Sequence, residues 1–111
     1  SGYIAMKKLL EKATPSAVFA ANDLTAAEAM RAIKERGLRI PEDIAVVGFD
    51  DGSIAPHTEP PLTTMRIFRE KMGVIAARRL LELIEDPDQP PTHIKVFTQL
   101  IIRCSCGANQ S

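Results

Sequence analysis

Neither sign of charge is in excess in this chain: among 111 residues, fourteen Lys and Arg balance fourteen Asp and Glu, for a formal net charge of zero. The sequence therefore has no bulk attraction for nucleic acid or an anionic membrane, and any DNA contact belongs to another part of the protein. Long apolar runs are also missing. None approaches the roughly 18 residues of a membrane span, and Ser1-Gly2-Tyr3 does not open a charged-then-apolar leader, so nothing directs export. Cysteine is limited to Cys104 and Cys106, one residue apart, too close to staple a fold and read as reduced thiols in a cytoplasm. A metal site would need further ligands near them, and His57 and His93 stand in unrelated settings. P-loop, nucleophile elbow, zinc spacing and internal repeats are all absent, so the sequence advertises no catalytic residue, metal or cofactor.

What is present is 45% hydrophobic, enough for the core of one domain. The run Ile44-Ala45-Val46-Val47-Gly48-Phe49 ends abruptly in Asp50-Asp51. An apolar run without alternation suits a strand covered on both faces, as in a parallel sheet flanked by helices. In such sheets ligands sit beyond the carboxyl ends of the strands, where Asp50 and Asp51 fall; the same pair would also suit a simple turn.

The rest of the chain fits an α/β order. Ile4, Met6, Leu9 and Leu10 mark a helix that Thr14-Pro15 stops, and its position at the very start suggests a fragment of a longer protein. Ala17 to Ala21 reads as a short strand ending in Asn22-Asp23. Ala26, Ala29, Met30 and Ile33 form the stripe of a second helix, with Thr25 and Glu28 spaced as a capping box and Gly37 as terminator. Short polar residues before a helix also cap it, so Asn22 and Asp23 carry that reading beside a functional one. After a proline-containing loop from Gly52 to Pro61, Leu62 to Met65 extends again. Phe68, Met72, Ile75, Ala76, Leu80 and Leu83 outline a third amphipathic helix ended by Asp86-Pro87, with Gly73 marking a close backbone approach. His93 to Ile102 reads as a final strand.

The motifs VFAAND (18–23), RAIKERGLRIPEDIAVVGFDD (31–51), PPLTTMR (60–66) and LIIR (100–103) together resemble, in order and spacing, the ligand-sensing domain of the lactose-repressor/galactose-repressor (LacI/GalR) family of bacterial transcriptional regulators. The resemblance covers about Ser1 to Arg103. It implies a partial periplasmic-binding-protein-like (type I) domain of two α/β lobes with effector in the cleft. Residues 1–62 and 96–106 would belong mainly to the C-terminal lobe and 63–95 mainly to the N-terminal lobe, with the DNA-binding domain outside this chain. By position, the resemblance makes Asn22 and Asp50 face the effector, with Asp50 accepting hydrogen bonds from its hydroxyl or ring nitrogen donors. Asp23 resembles a cap and Asp51 a supporting residue. Ala27, Met30 and Arg31, with Ile54, His57 and Thr58, match the family's dimer face. The usual Arg-x-Ser-Thr ending reads Arg103-Cys104-Ser105-Cys106, and Ile67-Phe68 replaces the frequent Gln-Pro after TTxR.

The resemblance thus implies a cytoplasmic, homodimeric, non-enzymatic sensor that binds a small effector such as a sugar, without contact to a membrane. The chain has no Trp, one Tyr and four Phe, so the aromatic platform for a sugar is expected in another part of the protein. Two further readings stay open: a periplasmic sugar-binding protein of related fold, and a magnesium-dependent phosphoreceiver or enzyme using Asp50 and Asp51 as an acid pair. Against the second, no lysine or hydroxyl residue ends a later strand in the matching way.

Overall fold

Three residues of the central apolar run, Ala45–Val47, form strand β2, and Val46 at its centre is fully buried. The computed structural model describes residues 1–108. In chain order, helix α1 (Gly2–Lys12) leads to strand β1 (Ala17–Phe19), helix α2 (Asp23–Glu35), β2, a 3₁₀ turn (Ala55–His57), strand β3 (Thr64–Arg66), helix α3 (Arg69–Glu85) and strand β4 (Gln99–Ile101). β1 and β2 pair in parallel, Val18 opposite Val46, as the unalternating run predicts. Single parallel bridges, Val47 with Thr63 and Asp50 with Arg66, carry the pairing on towards β3, which pairs antiparallel with β4. The fold class is α/β, as expected.

The chain divides into two compact units: Ser1–Arg66 together with the segment from Gln99 onward, and Ile67–Thr98. The boundaries between these units fall at Ile67 and Thr98, and β3 stays with β4 in the first unit. That unit holds the core. Met6 and Leu10 of α1 and Ala26, Ala29, Met30 and Ile33 of α2 join Ile40, Ile44, Val46 and Leu62, all buried. Each large aliphatic side chain of this kind contributes about 1.5–3 kcal/mol on burial.

The start of α2 differs from expectation. Its cap is Asn22, whose side-chain oxygen accepts from the Thr25 amide at 2.8 Å, so the helix begins at Asp23 and Thr25 lies inside it. The capping box at Thr25 and Glu28 is thereby replaced by Asn-x-x-Thr. Gly37 ends the helix as predicted, at φ +80°, with its amide donating to the Lys34 carbonyl and Leu38 to that of Ile33. This paired closure needs a left-handed residue, which glycine supplies without strain.

In the second unit α3 forms over the predicted range, ending at Asp86, but none of its residues is buried. Its apolar stripe is only partly covered by the described residues: Ile75 and Leu83 are half-buried and Leu80 is 59% exposed. A Cβ built at Gly73 meets nothing within 4 Å, so the expected close backbone approach is not found there. Arg79 instead organises the turn after the helix, donating to Glu82 at 3.1 Å and to the Pro90 carbonyl at 3.0 Å. The final strand is shorter than expected. Residues 93–98 form no ladder, lacking a partner strand among the described residues, and only Gln99–Ile101 pairs.

Candidate functional site

The first two parallel strands end side by side, β1 running into Asn22-Asp23 and β2 into Asp50-Asp51. Just beyond β2 the ring of Phe49 meets that of Phe19 edge-on at 6.5 Å between centroids. The order of the four polar residues follows from where each side chain can reach.

Asn22 is exposed and spends its side-chain oxygen on the Thr25 amide. Asp23, expected to resemble the cap, is instead 2% exposed and bridges two distant segments. Its Oδ1 accepts from the Thr64 hydroxyl at 2.6 Å and its Oδ2 from the Gly52 amide at 2.7 Å. The capping role passed to Asn22 because Asp23 is already helical and points inward. Gly48 belongs to this arrangement, since a Cβ there would lie 2.3 Å from Asp23 Oδ1 and 2.9 Å from Leu62.

Asp50 and Asp51 both sit at positive φ, +109° and +52°. Aspartate tolerates the left-handed region better than most residues, but such conformations still cost on the order of 1–3 kcal/mol each and persist only where surrounding bonds fix them. Those bonds are present. The Asp50 amide donates to the Met65 carbonyl at 2.8 Å and the Asp51 amide to the Thr64 hydroxyl at 3.3 Å. Gly52 shares its amide between Asp23 Oδ2 and Asp50 Oδ1, the latter at 3.0 Å.

Asp51 is tied by both oxygens. Oδ2 accepts from Arg66 Nε at 2.8 Å and Oδ1 from Arg103 Nη2 at 2.9 Å, with the Asp51 side chain only 10% exposed. Arg103 Nη1 in turn donates to the Leu62 carbonyl at 2.9 Å. Burial pushes the Asp51 carboxyl up, but hydrogen bonds and charge from Arg66 and Arg103 outweigh it and hold the group below its ordinary range.

The C-terminal segment braces the site from beneath. Ser105 is fully buried; its carbonyl accepts from the Val46 amide at 2.8 Å and its hydroxyl from the Thr63 amide at 2.9 Å. The Thr63 hydroxyl meets Cys106 Sγ at 3.1 Å, so the cysteine that replaces the family's usual threonine still bonds inward.

The dimer-face residues separate. Arg31 is exposed and lays its guanidinium 3.8 Å over the Tyr3 ring, Ala27 is half-buried, and Ile54 and His57 are exposed beside half-buried Thr58. Met30 departs from expectation: it is 2% exposed, packed in the chain's own core, and offers no area to a second subunit. The helical stripe that marked it as apolar was its core face. Sequence reasoning passed over Gly48, Gly52, Thr64, Arg66 and Arg103, although Thr64 and Arg66 lie in the quoted PPLTTMR motif and Arg103 ends LIIR.

A periplasmic-binding-protein-like domain family matches residues 1–106. The lactose operon repressor of Rhizobium radiobacter is 43% identical over 106 residues, covering 95% of this chain and 93% of that protein. Among solved structures, a transcriptional regulator CelR–cellobiose complex superposes with a TM-score of 0.89 at 42% identity, covering 95% of this chain and 32% of the other. A lac repressor dimer bound to operator and the anti-inducer ONPF gives 0.86 at 35% identity, covering 95% and 37%. The chain spans about a third of the length of the first curated regulators that it matches.

Proposed function

The chain belongs to the LacI/GalR family of transcriptional regulators, within the periplasmic-binding-protein-like sensor domain, and from that premise we propose that it senses a small polar effector such as a sugar and transmits its binding to operator affinity. Asp50 carries the reading. Its carboxylate is an acceptor-only group held on a fixed turn at the carboxyl end of β2, able to orient hydroxyl or ring nitrogen donors with little ordering cost on binding. Asn22 lies at the neighbouring strand end and offers its side-chain amide donors beside the capping oxygen.

In the intact regulator, residues 1–62 and 96–106 belong mainly to the C-terminal lobe and 63–95 mainly to the N-terminal lobe. Ala27 and Arg31 of α2, with Ile54, His57 and Thr58, form the contact of a homodimer. DNA is bound by another domain, consistent with the zero formal charge here. The protein acts in the cytoplasm, has no catalytic step, and works by a ligand-induced shift between two conformations that differ in operator affinity. No helix among the described residues is long and apolar enough to cross a membrane.

Isothermal titration of the intact regulator with cellobiose and a panel of mono- and disaccharides tests the reading, alongside operator gel shifts with and without the sugar that binds. Saturable binding that changes operator retention is expected. Failure of every polar metabolite tried to bind, or binding with no effect on retention, would overturn it.

A further inference from the structure

Resting on the effector site proposed above, we infer that Asp51, Arg66 and Arg103 form a positioning device that fixes the left-handed Asp50-Asp51 turn and so sets effector affinity without touching the effector. Both Asp51 oxygens are engaged, Oδ2 by Arg66 Nε at 2.8 Å and Oδ1 by Arg103 Nη2 at 2.9 Å, so this carboxylate faces the protein and not a ligand. Its neighbour Asp50 accepts the Gly52 amide on Oδ1 at the end of the strand.

Two segments far apart in sequence hold the turn. Arg66 does so twice over, because its backbone bridges to Asp50, whose amide donates to the adjacent Met65 carbonyl at 2.8 Å, while its side chain holds Asp51. Arg103 is itself anchored, its amide donating to the Thr63 hydroxyl and its Nη1 to the Leu62 carbonyl, each at 2.9 Å. Arg66 and Arg103 thus each donate to a different oxygen of one carboxylate, and the fork of Arg103 joins that oxygen to the Leu62 carbonyl. Two consecutive residues at positive φ need such outside support. With the turn fixed, Asp50 Oδ1 and the Gly52 amide keep their 3.0 Å bond, and the effector does not have to order the carboxylate when it binds.

The test uses the intact regulator and the variants Asp51→Asn, Arg66→Met and Arg103→Met. Amide hydrogen exchange at Gly52, measured without ligand against core amides of α2, reads the turn; titration with cellobiose, or with the panel sugar that binds more tightly, reads affinity. Asp51→Asn is expected to speed Gly52 exchange at least tenfold relative to α2 and to weaken the sugar's affinity about tenfold. Each arginine variant gives part of both effects, and neither adds to them in the Asp51→Asn background. If Asp51→Asn fails to fold, the two arginine variants and their double carry the same comparison. Unchanged Gly52 exchange overturns the inference, as does faster exchange with the dissociation constant held within twofold. Faster Gly52 exchange in a regulator that binds no sugar supports the turn device and overturns the effector reading beneath it.

Discussion

The Asp23 carboxylate occupies the space that any side chain on Gly48 would need: a Cβ at Gly48 would stand 2.3 Å from Asp23 Oδ1. The glycine before Phe49-Asp50-Asp51 thus serves the first strand end as well as the second, since Asp23 reaches across it to Thr64 and Gly52. Gly48→Ala should destabilise the intact protein by about 1–3 kcal/mol, as overpacking of a closed site does. A further loss follows if Asp23 is pushed off its partners. Urea unfolding checks it, and a midpoint unchanged from wild type would show that Asp23 can move aside freely.

The Asp51 ion pairs give stability a definite pH dependence. Burial raises the carboxyl's pKa, the two arginines lower it more, and the folded value lies below the unfolded one. Their contribution is therefore fully present above the unfolded pKa of about 4 and is lost as pH falls through the depressed folded value. Thermal melts of wild type and Asp51→Asn should differ at pH 7 and converge as the pH drops below about 4. A gap that stays constant down to pH 3 would mean that the carboxylate's charge is not what matters.

Separating Met30 from Ala27 tests the subunit contact. Met30→Glu puts a charge into the core, where Met30 is 2% exposed, and should unfold the chain or cost several kcal/mol. Ala27→Glu, on a half-buried position of the same helix, should leave folding nearly intact while shifting the intact regulator to monomer. Light scattering across a dilution series reads the second effect and denaturation the first. An Ala27→Glu protein that remains a dimer at low micromolar concentration would remove α2 from the contact.

The contrast between these two residues shows how far the sequence could be read. The α/β order, the parallel β1–β2 pair and the Gly37 helix stop follow from local patterns: an unalternating apolar run, helical spacing, a residue that tolerates positive φ. Periodicity also found α2's apolar stripe, but it does not say whether a stripe faces the core or a second copy; Met30, 2% exposed, packs in the core of its own chain. The cap fell to Asn22 and not to Asp23 for a similar reason. Which of two adjacent polar residues caps a helix depends on where the backbone turns, and Asp23's partners, Thr64 and Gly52, lie 41 and 29 residues away. Arg66 and Arg103 could not be joined to Asp51 by spacing at all, since only the folded sheet brings residues 51, 66 and 103 together.

Asp50 carries the last prediction, because its backbone and its side chain can be tested apart. At φ +109° it adopts a conformation that glycine takes without strain and alanine does not, so Asp50→Gly removes the carboxylate while easing the turn, and Asp50→Ala removes it while keeping the strain. If the residue only forms a turn, Asp50→Gly should keep effector affinity within twofold, while stability reflects relief at positive φ set against loss of the bond to the Gly52 amide. If the carboxylate binds the effector, Asp50→Gly should weaken affinity roughly ten- to a hundredfold, the equivalent of about 1.5–3 kcal/mol for a hydrogen bond to a charged group. Asp50→Ala should lose affinity to a similar degree and melt at a lower temperature besides. Operator binding without effector should survive in both. Calorimetric titration of the intact regulator with the sugar that binds wild type, beside a thermal melt of each variant, separates the two effects. An Asp50→Gly protein that retains wild-type affinity would take Asp50 out of the site and leave it a turn residue.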